Sequence, residues 1–195
     1  MTRTTTEARF TRDVPSDLDL FARIRLRDVR AFELLYKRYH PRLSRFLLNL
    51  VRRPQIVEEA VNDTLLVVWN KVDSFGHASR PSTWIFGIAY RQGLSALRRF
   101  DDPVEDDGRA AEQTDLRDAP DAAMRVDQVR ERLQQAIGTL SPLHRAVINL
   151  TYVQEFGYRE IAEIVDCPID TVKTRMFHAR RHLRQALGGD AADWL

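Results

Sequence analysis

The sequence predicts an all-α protein: two small helical domains joined by a flexible acidic linker, the second ending in a helix-turn-helix. Three observations lead there. Apolar residues recur at steps of three and four through both halves of the chain, the period of one helix face. Charge falls in blocks, with 18 Lys or Arg against 10 acids in residues 1–100, 2 against 9 in 101–121 and 10 against 9 in 122–195. The resulting balances of +8, −7 and +1 are hidden in an overall charge of only +2. Finally, "GYREIAEIVDCPIDTVKTRMFHARRHLRQ" reads as two short helices around a three-residue turn, the second of them basic.

The elements follow in chain order. The opening, "MTRTTTEARFTRDVPSD", is polar, and residues 1–19 are expected to be disordered. A first domain is expected over 20–100. Within it, "AFELLYKRYHPRLSRFLLNLV" sets Phe32, Leu35, Tyr39, Leu43, Phe46 and Leu50 at helical steps, with a break or kink before Pro41. "IVEEAVNDTLLVVWNKVDSF" turns Val57, Val61, Leu65, Val68 and Val72 inward, leaving Glu59, Asp63, Leu66 and Asn70 on the far face. A leucine among acids and an amide is a small sign of a docking surface. After the loop "FGHASRPS", a helix capped by Ser82 or Thr83 runs to an arginine-rich end. Arg91, Arg98 and Arg99 there can meet phosphate or simply complement a helix C-terminus, and Trp84 is expected in the core.

Residues 101–121, "DDPVEDDGRAAEQTDLRDAPD", hold two prolines, a glycine and hardly a large apolar side chain. Such a stretch cannot bury enough surface to offset its ordering entropy, so it reads as a solvated tether. Residues 122–187 then read as four helices, and 188–195 as a tail. "AAMRVDQVRERLQQAIGTL" aligns Val126, Val129, Leu133 and Ile137. Ser141-Pro142 is a cap followed by a first-turn proline, opening "LHRAVINLTYV". The next helix gathers Tyr158, Ile161, Ala162 and Val165 on one face and stops at Asp166, Cys167 and Pro168.

The last helix carries the most information. Ile169, Val172, Met176, Ala179 and Leu183 form its apolar stripe; Thr174, His178, Arg181 and Gln185 lie opposite, flanked by Phe177 and Arg184. From Lys173 to Arg184, Arg175 included, there are five Lys or Arg and no acid. A merely solvated face interleaves both signs, and an isolated helix gains nothing from an outward aromatic. The pattern points to a helix seated in a major groove.

Other classes are excluded or disfavoured. No apolar run approaches a membrane span, and no signal-peptide pattern opens the chain. The single cysteine, Cys167, rules out an internal disulfide and fits a reducing cytoplasm. His178 and His182 have metal-ligand spacing, but no glutamate follows the first and no third ligand is evident. Neither a phosphate-cradling glycine loop nor a nucleophile motif is present, so no enzyme activity and no cofactor is expected.

The chain also resembles bacterial sigma factors of the extracytoplasmic-function type, within the sigma-70 family. "FELLYKRYHPRLSRFL", "EEAVNDTLLVVWNKVDSF" and "STWIFGIAYRQGLSALRR" look like the first conserved domain of that family, and "LSPLHRAVINLTYVQEFGYREIAEIVDCPIDTVKTRMFHARRHLRQAL" is similar to the second. The resemblance implies a promoter-specificity subunit that binds core RNA polymerase and recognises −10 and −35 promoter elements. Glu59, Asp63, Leu66 and Asn70 would dock on the clamp helices of the largest polymerase subunit. Residues 76–82 and the helix after them would open and read the −10 element. Lys173, Thr174, Phe177 and His178 would face the −35 element, and the linker would thread towards the active-site and RNA-exit cleft. Usual partners are promoter DNA, core polymerase and an anti-sigma factor. Tyr90-Arg91, Ser95 and His178 depart from the residues common in the family at positions that read DNA. A stand-alone helix-turn-helix regulator is the alternative, though the first half shows no dimerisation heptad.

Overall fold

A computed structural model describes residues 14–99 and 122–187 of the chain. The linker 101–121, the tail 188–195 and the side chains of Val126 and Val129 lie outside what is described. Eight α-helices and one 3₁₀ turn, Val72–Ser74, make up the described residues, with no strand among them. The first half holds α1 (Asp17–Arg25), α2 (Val29–Val51), α3 (Pro54–Lys71) and α4 (Pro81–Arg99). The second holds α5 (Ala122–Thr139), α6 (Pro142–Tyr152), α7 (Tyr158–Val165) and α8 (Ile169–Leu187).

Three boundaries differ from expectation. Helix α1 starts at Asp17, inside the segment expected to be disordered up to residue 19. Ser16 Oγ accepts from the Asp19 amide while the Asp19 carboxylate accepts from the Ser16 amide at 3.0 Å, a reciprocal cap that satisfies two otherwise orphan donors. Helix α2 runs unbroken past Pro41. Proline removes one intrahelical hydrogen bond, but Pro41 is on the exposed side and the stripe Tyr39, Leu43, Phe46, Leu47 and Leu50 is buried on the other. Burial of five large side chains outweighs one missing bond whose carbonyl can turn to water. Helix α4 begins at Pro81, not after a Ser82 or Thr83 cap; the Trp84 amide already bonds the Arg80 carbonyl at 3.1 Å.

The other caps fall where residue chemistry puts them. Asp28 opens α2, accepting from the Arg30 and Ala31 amides at 2.9 and 3.1 Å. Its hydrogen bond from Arg23 and those amides hold its carboxyl below the usual range. Ser141 caps α6 and accepts from the His144 amide, with Pro142 in the first turn. Asp166 ends α7 in the left-handed region at φ 52°, a conformation that short polar side chains tolerate.

Inside the first half, Leu35, Tyr39, Leu43, Phe46, Leu65, Ile85 and Phe86 are fully buried or nearly so. Trp84 lies edge-on to Phe21 at 5.7 Å and tilted against Phe75 at 5.6 Å, as a core residue. The second half closes over Val147, Ile161, Ile164, Val172, Met176, Ala179 and Leu183. Leu133, expected on an inward face, is 37% exposed. The two cores join: α6 packs on α2 and α7 on α4, so one apolar cluster passes through both halves.

At that junction Arg145 is buried. Its guanidinium donates to the Leu50 carbonyl at 3.0 Å, the Leu140 carbonyl at 3.0 Å and the Gly138 carbonyl at 3.3 Å. Replacing it by methionine removes the charge and takes a donor from the Leu50 and Leu140 carbonyls, while Gly138 keeps its donation from Arg52 at 2.7 Å. Arg145→Met is expected to cost about 3 kcal/mol, which in a chain of this size lowers the melting midpoint by about 10 °C in a calorimetric scan.

Candidate nucleic-acid interface

Helix α8 stands on a scaffold built by its own stripe. Val172, Met176, Ala179 and Leu183 are buried against α5, α6 and α7, which fixes which side faces out. The turn from α7 is tight: the Cys167 amide bonds the Ala162 carbonyl at 3.1 Å, and the Thr171 and Val172 amides bond the Pro168 carbonyl at 2.9 and 3.2 Å. These bonds set the angle between the two helices and the depth to which α8 projects.

The outer face contains Lys173, Thr174, Phe177, His178, Arg181 and Arg184, all exposed. Phe177 is 62% exposed, an unusual setting for a phenyl ring that has no neighbouring helix to cover it. Lys173 pairs with Asp170 at 2.9 Å, both ends in solvent, an attachment weak enough for the ammonium to exchange for a phosphate. Thr174 Oγ1 donates to the Asp170 carbonyl at 2.9 Å, which leaves its lone pairs outward. At 1.5 Å per residue the face from Lys173 to Arg184 runs about 16 Å, the length of roughly five base pairs.

Arg175 is set apart from this face. It is half-buried, and its guanidinium reaches back to Cys167 Sγ at 3.7 Å, so it braces the turn. His182 is also occupied locally, its Nε2 2.7 Å from Thr139 Oγ1. No cluster of three or more metal-ligating side chains occurs among the described residues.

A second surface lies between α3 and α4. Val67, Lys71, Ser74, Trp84, Ile88, Arg91 and Gln92 line a shallow groove there. An aromatic floor with two cations at its edge suits a nucleobase and its phosphates. Sequence reasoning found Arg91 here but missed Lys71 and the partly open Trp84, whose half-burial serves core and groove together. Arg98 and Arg99 are exposed in the last turn of α4, with Arg99 3.4 Å from Glu59.

The third surface is the outer side of α3. Glu59, Leu66 and Asn70 are exposed and Asp63 half-exposed, at steps that keep all four on one side. Leu66 is 56% exposed between acids and amides. The groove and this stripe therefore belong to the first half, and the basic helix to the second.

Comparison with known proteins assigns both halves. Residues 35–101 match the family described as Sigma-70 region 2, and residues 130–183 that described as Sigma-70, region 4. The chain is 31% identical over 163 residues to an ECF RNA polymerase sigma factor, RpoE, of Cereibacter sphaeroides, covering 82% of this chain and 87% of the relative. It is 29% identical over 180 residues to the ECF sigma factor SigK of a Mycobacterium species, covering 90% and 93%. Among solved structures it is similar to the sigma factor RpoE of Bartonella quintana in complex with the anti-sigma factor NepR, with a TM-score of 0.61, 29% identity and coverage of 80% and 96%. CnrH in complex with the cytosolic domain of CnrY shares the fold at a TM-score of 0.63 and 24% identity, over 89% and 96%.

The exposure of Phe177 gives a direct expectation. Phe177→Ala should leave the melting midpoint of the full chain unchanged within the equivalent of about 0.5 kcal/mol, the usual range for surface substitutions. A large drop would place the ring in a core contact and remove it from the outer face.

Proposed function

We propose how these surfaces work in a chain that belongs to the extracytoplasmic-function sigma factors of the sigma-70 family. The protein is a promoter-recognition subunit that directs RNA polymerase to initiate transcription. A stand-alone helix-turn-helix regulator is not favoured, because region 2 accompanies region 4 in one chain.

The observation that carries the residue-level reading is the outer face of α8, one-signed in charge and topped by an exposed phenyl ring. In the major groove of the −35 element, Phe177 lies against a thymine methyl and Thr174 and His178 reach base edges. Lys173, Arg181 and Arg184 meet phosphates, which fixes register without reading sequence. In the first half, the groove over Trp84 takes an unstacked base of the −10 element, with Lys71 and Arg91 on the flanking phosphates and Arg98 and Arg99 further along the strand. Glu59, Asp63, Leu66 and Asn70 dock on the clamp helices of the largest polymerase subunit. Residues 20–100 and 122–187 thus act as two units, each with its own DNA element.

The chain acts by binding, with the chemistry left to the polymerase, and it works in the cytoplasm where that enzyme is found. No described helix is long and apolar enough to cross a membrane. An anti-sigma factor is a further partner, supported by the solved relative held by NepR.

Two experiments test the assignments. Charge reversal on the docking stripe, Glu59→Lys with Asp63→Lys, should abolish assembly with core polymerase in a pull-down while the helical circular-dichroism signal persists. Unaltered assembly would reduce that stripe to solvated surface. On the −35 element, Phe177→Ala should cost about 1–3 kcal/mol on the preferred site and little on others, measured by holoenzyme binding to a panel of promoters. Arg184→Ala should instead weaken every site alike and lower the salt slope by about one.

A further inference from the structure

The exposed apolar side chains are not spread evenly. Five of the large ones, Val14, Leu18, Leu26, Val29 and Leu34, fall within residues 14–34, on or beside α1 and the start of α2. Leu26, the C-cap of α1, is 83% exposed, the most open large apolar side chain among the described residues. Val29, which opens α2, is 66% exposed. Single surface leucines need no explanation, but several gathered in one part of the surface do.

The corner between α1 and α2 is built rather than frayed. The Leu26 and Asp28 amides both bond the Arg23 carbonyl, at 3.0 and 3.1 Å, and the Arg27 amide bonds the Ile24 carbonyl at 2.8 Å. Arg27 stands in the left-handed region at φ 60°, a conformation uncommon for a residue with a side chain. Its guanidinium donates to the Trp69 carbonyl at 3.1 Å and lies 5.5 Å from the centre of the Trp69 ring. Phe32 meets the same ring at 5.0 Å. These contacts clamp the corner to the last turn of α3, beside Asn70, the end of the stripe assigned above to polymerase. Further along, the Tyr36 hydroxyl donates to Asn62 Oδ1 at 3.2 Å, so α2 borders that stripe beside Asp63 as well.

Charge says what the corner fits. Residues 23–30, "RIRLRDVR", hold four arginines against one acid, and that acid, Asp28, is engaged by Arg23 at 2.8 Å and by the α2 amides. Arg23, Arg27 and Arg30 are exposed and flank Leu26 and Val29 in the chain. A second copy of this chain packed there about a two-fold axis would set these arginines against themselves. Single-stranded nucleic acid is held by cations together with aromatic faces for its bases, and Leu26 and Val29 offer none. The complement is a protein surface with carboxylates around an apolar pocket. The stripe on α3 has the opposite sign, with Glu59 and Asp63. One partner reading both is held in a single direction, because turning it end for end would oppose like charges.

We infer that the polymerase-docking surface continues round the end of α3 onto the α1–α2 corner, where Leu26 and Val29 seat in an acidic-rimmed apolar pocket of core RNA polymerase. This rests on the assignment of the α3 stripe made above. The corner is already clamped, so little ordering is lost on docking. Its two aliphatic anchors supply the apolar contact for which the stripe itself has only Leu66.

The test measures the affinity of the full chain for purified core polymerase, with sedimentation of the free chain alongside. Leu26→Gln with Val29→Gln should weaken binding roughly tenfold or more. The helical signal and melting midpoint should hold, since neither side chain is buried. Arg30→Glu, at an exposed position, should slow association at low salt more than at high salt. Full affinity in the double variant, while Glu59→Lys with Asp63→Lys abolishes assembly, would overturn the proposal and leave the α3 assignment standing. Full affinity in the charge-reversed stripe would remove the α3 assignment, and the Leu26 and Val29 substitutions would then decide whether the corner binds polymerase by itself. A lowered melting midpoint in the double variant passes the decision to Arg30→Glu, whose unaltered association would sink the corner. A free chain that sediments as a dimer, and as a monomer once Leu26 and Val29 are replaced, would make the corner a contact between copies and overturn the proposal too.

Discussion

The arrangement depends on one buried cation. Arg145, on α6, faces the Leu50 carbonyl in the last turn of α2 and the Gly138 and Leu140 carbonyls at the end of α5. Terminal carbonyls of a helix lack intrahelical donors and carry the negative end of its dipole. Two such ends converge on one guanidinium, whose planar fork can serve several acceptors at once. Arg52, turned into the left-handed region at φ 57° where α2 stops, adds a donation to Gly138 at 2.7 Å. Desolvating a charge is costly, and here partial charges of opposite sign surround it. The geometry therefore holds only while α2, α5 and α6 are all in place.

From that point the surfaces are set by exclusion. With α6 fixed on α2, α7 falls on α4, and α8 packs across α5, α6 and α7 with its apolar stripe down. Arg181 and Arg184 are left on the exposed side. The groove between α3 and α4 is a by-product of the first core: Trp84 lies against Phe21 and Phe75 in the interior, and it also lines the groove. Surfaces made from the backs of core residues are rigid without extra bracing. That suits recognition, because little ordering entropy remains to be lost on binding.

The helices and the outer face of α8 were legible because both rest on local periodicity. Val172, Met176, Ala179 and Leu183 announce their burial by spacing alone, and Phe177 announces its exposure by falling off that spacing. Pro41 misled because the local cost of a missing N–H is readable in sequence, whereas the burial of Tyr39, Leu43 and Phe46 that overrides it is tertiary. Ser16 was missed because a polar opening hid a reciprocal cap with Asp19. The junction of the halves was not legible at all. Arg145 and Leu50 are 95 residues apart, and Arg42 and Gln154 are 112 apart. Nothing in an isolated arginine, or in a glycine such as Gly87, tells which distant backbone it will meet.

On the proposed assignments, the modest size of each DNA-facing surface explains why two are needed. Three cations on the rim of α8 that met phosphates would release about three counterions, giving a salt slope near −2.7 and only weak, sequence-indifferent affinity. Phe177, Thr174 and His178, in the proposed role, would add discrimination at about two or three base pairs, far too few to single out a promoter in a genome. The groove on α4 is similarly small, and in the proposed role it would need an unstacked base, which duplex DNA does not offer unaided. On the proposed reading neither surface suffices alone. Joined at a fixed separation, the second contact becomes intramolecular and gains the effective concentration of a tethered ligand. A tether alone sets no fixed separation, so the spacing must come from a partner that grips the first half elsewhere. On the proposed reading the exposed stripe of α3 serves that grip.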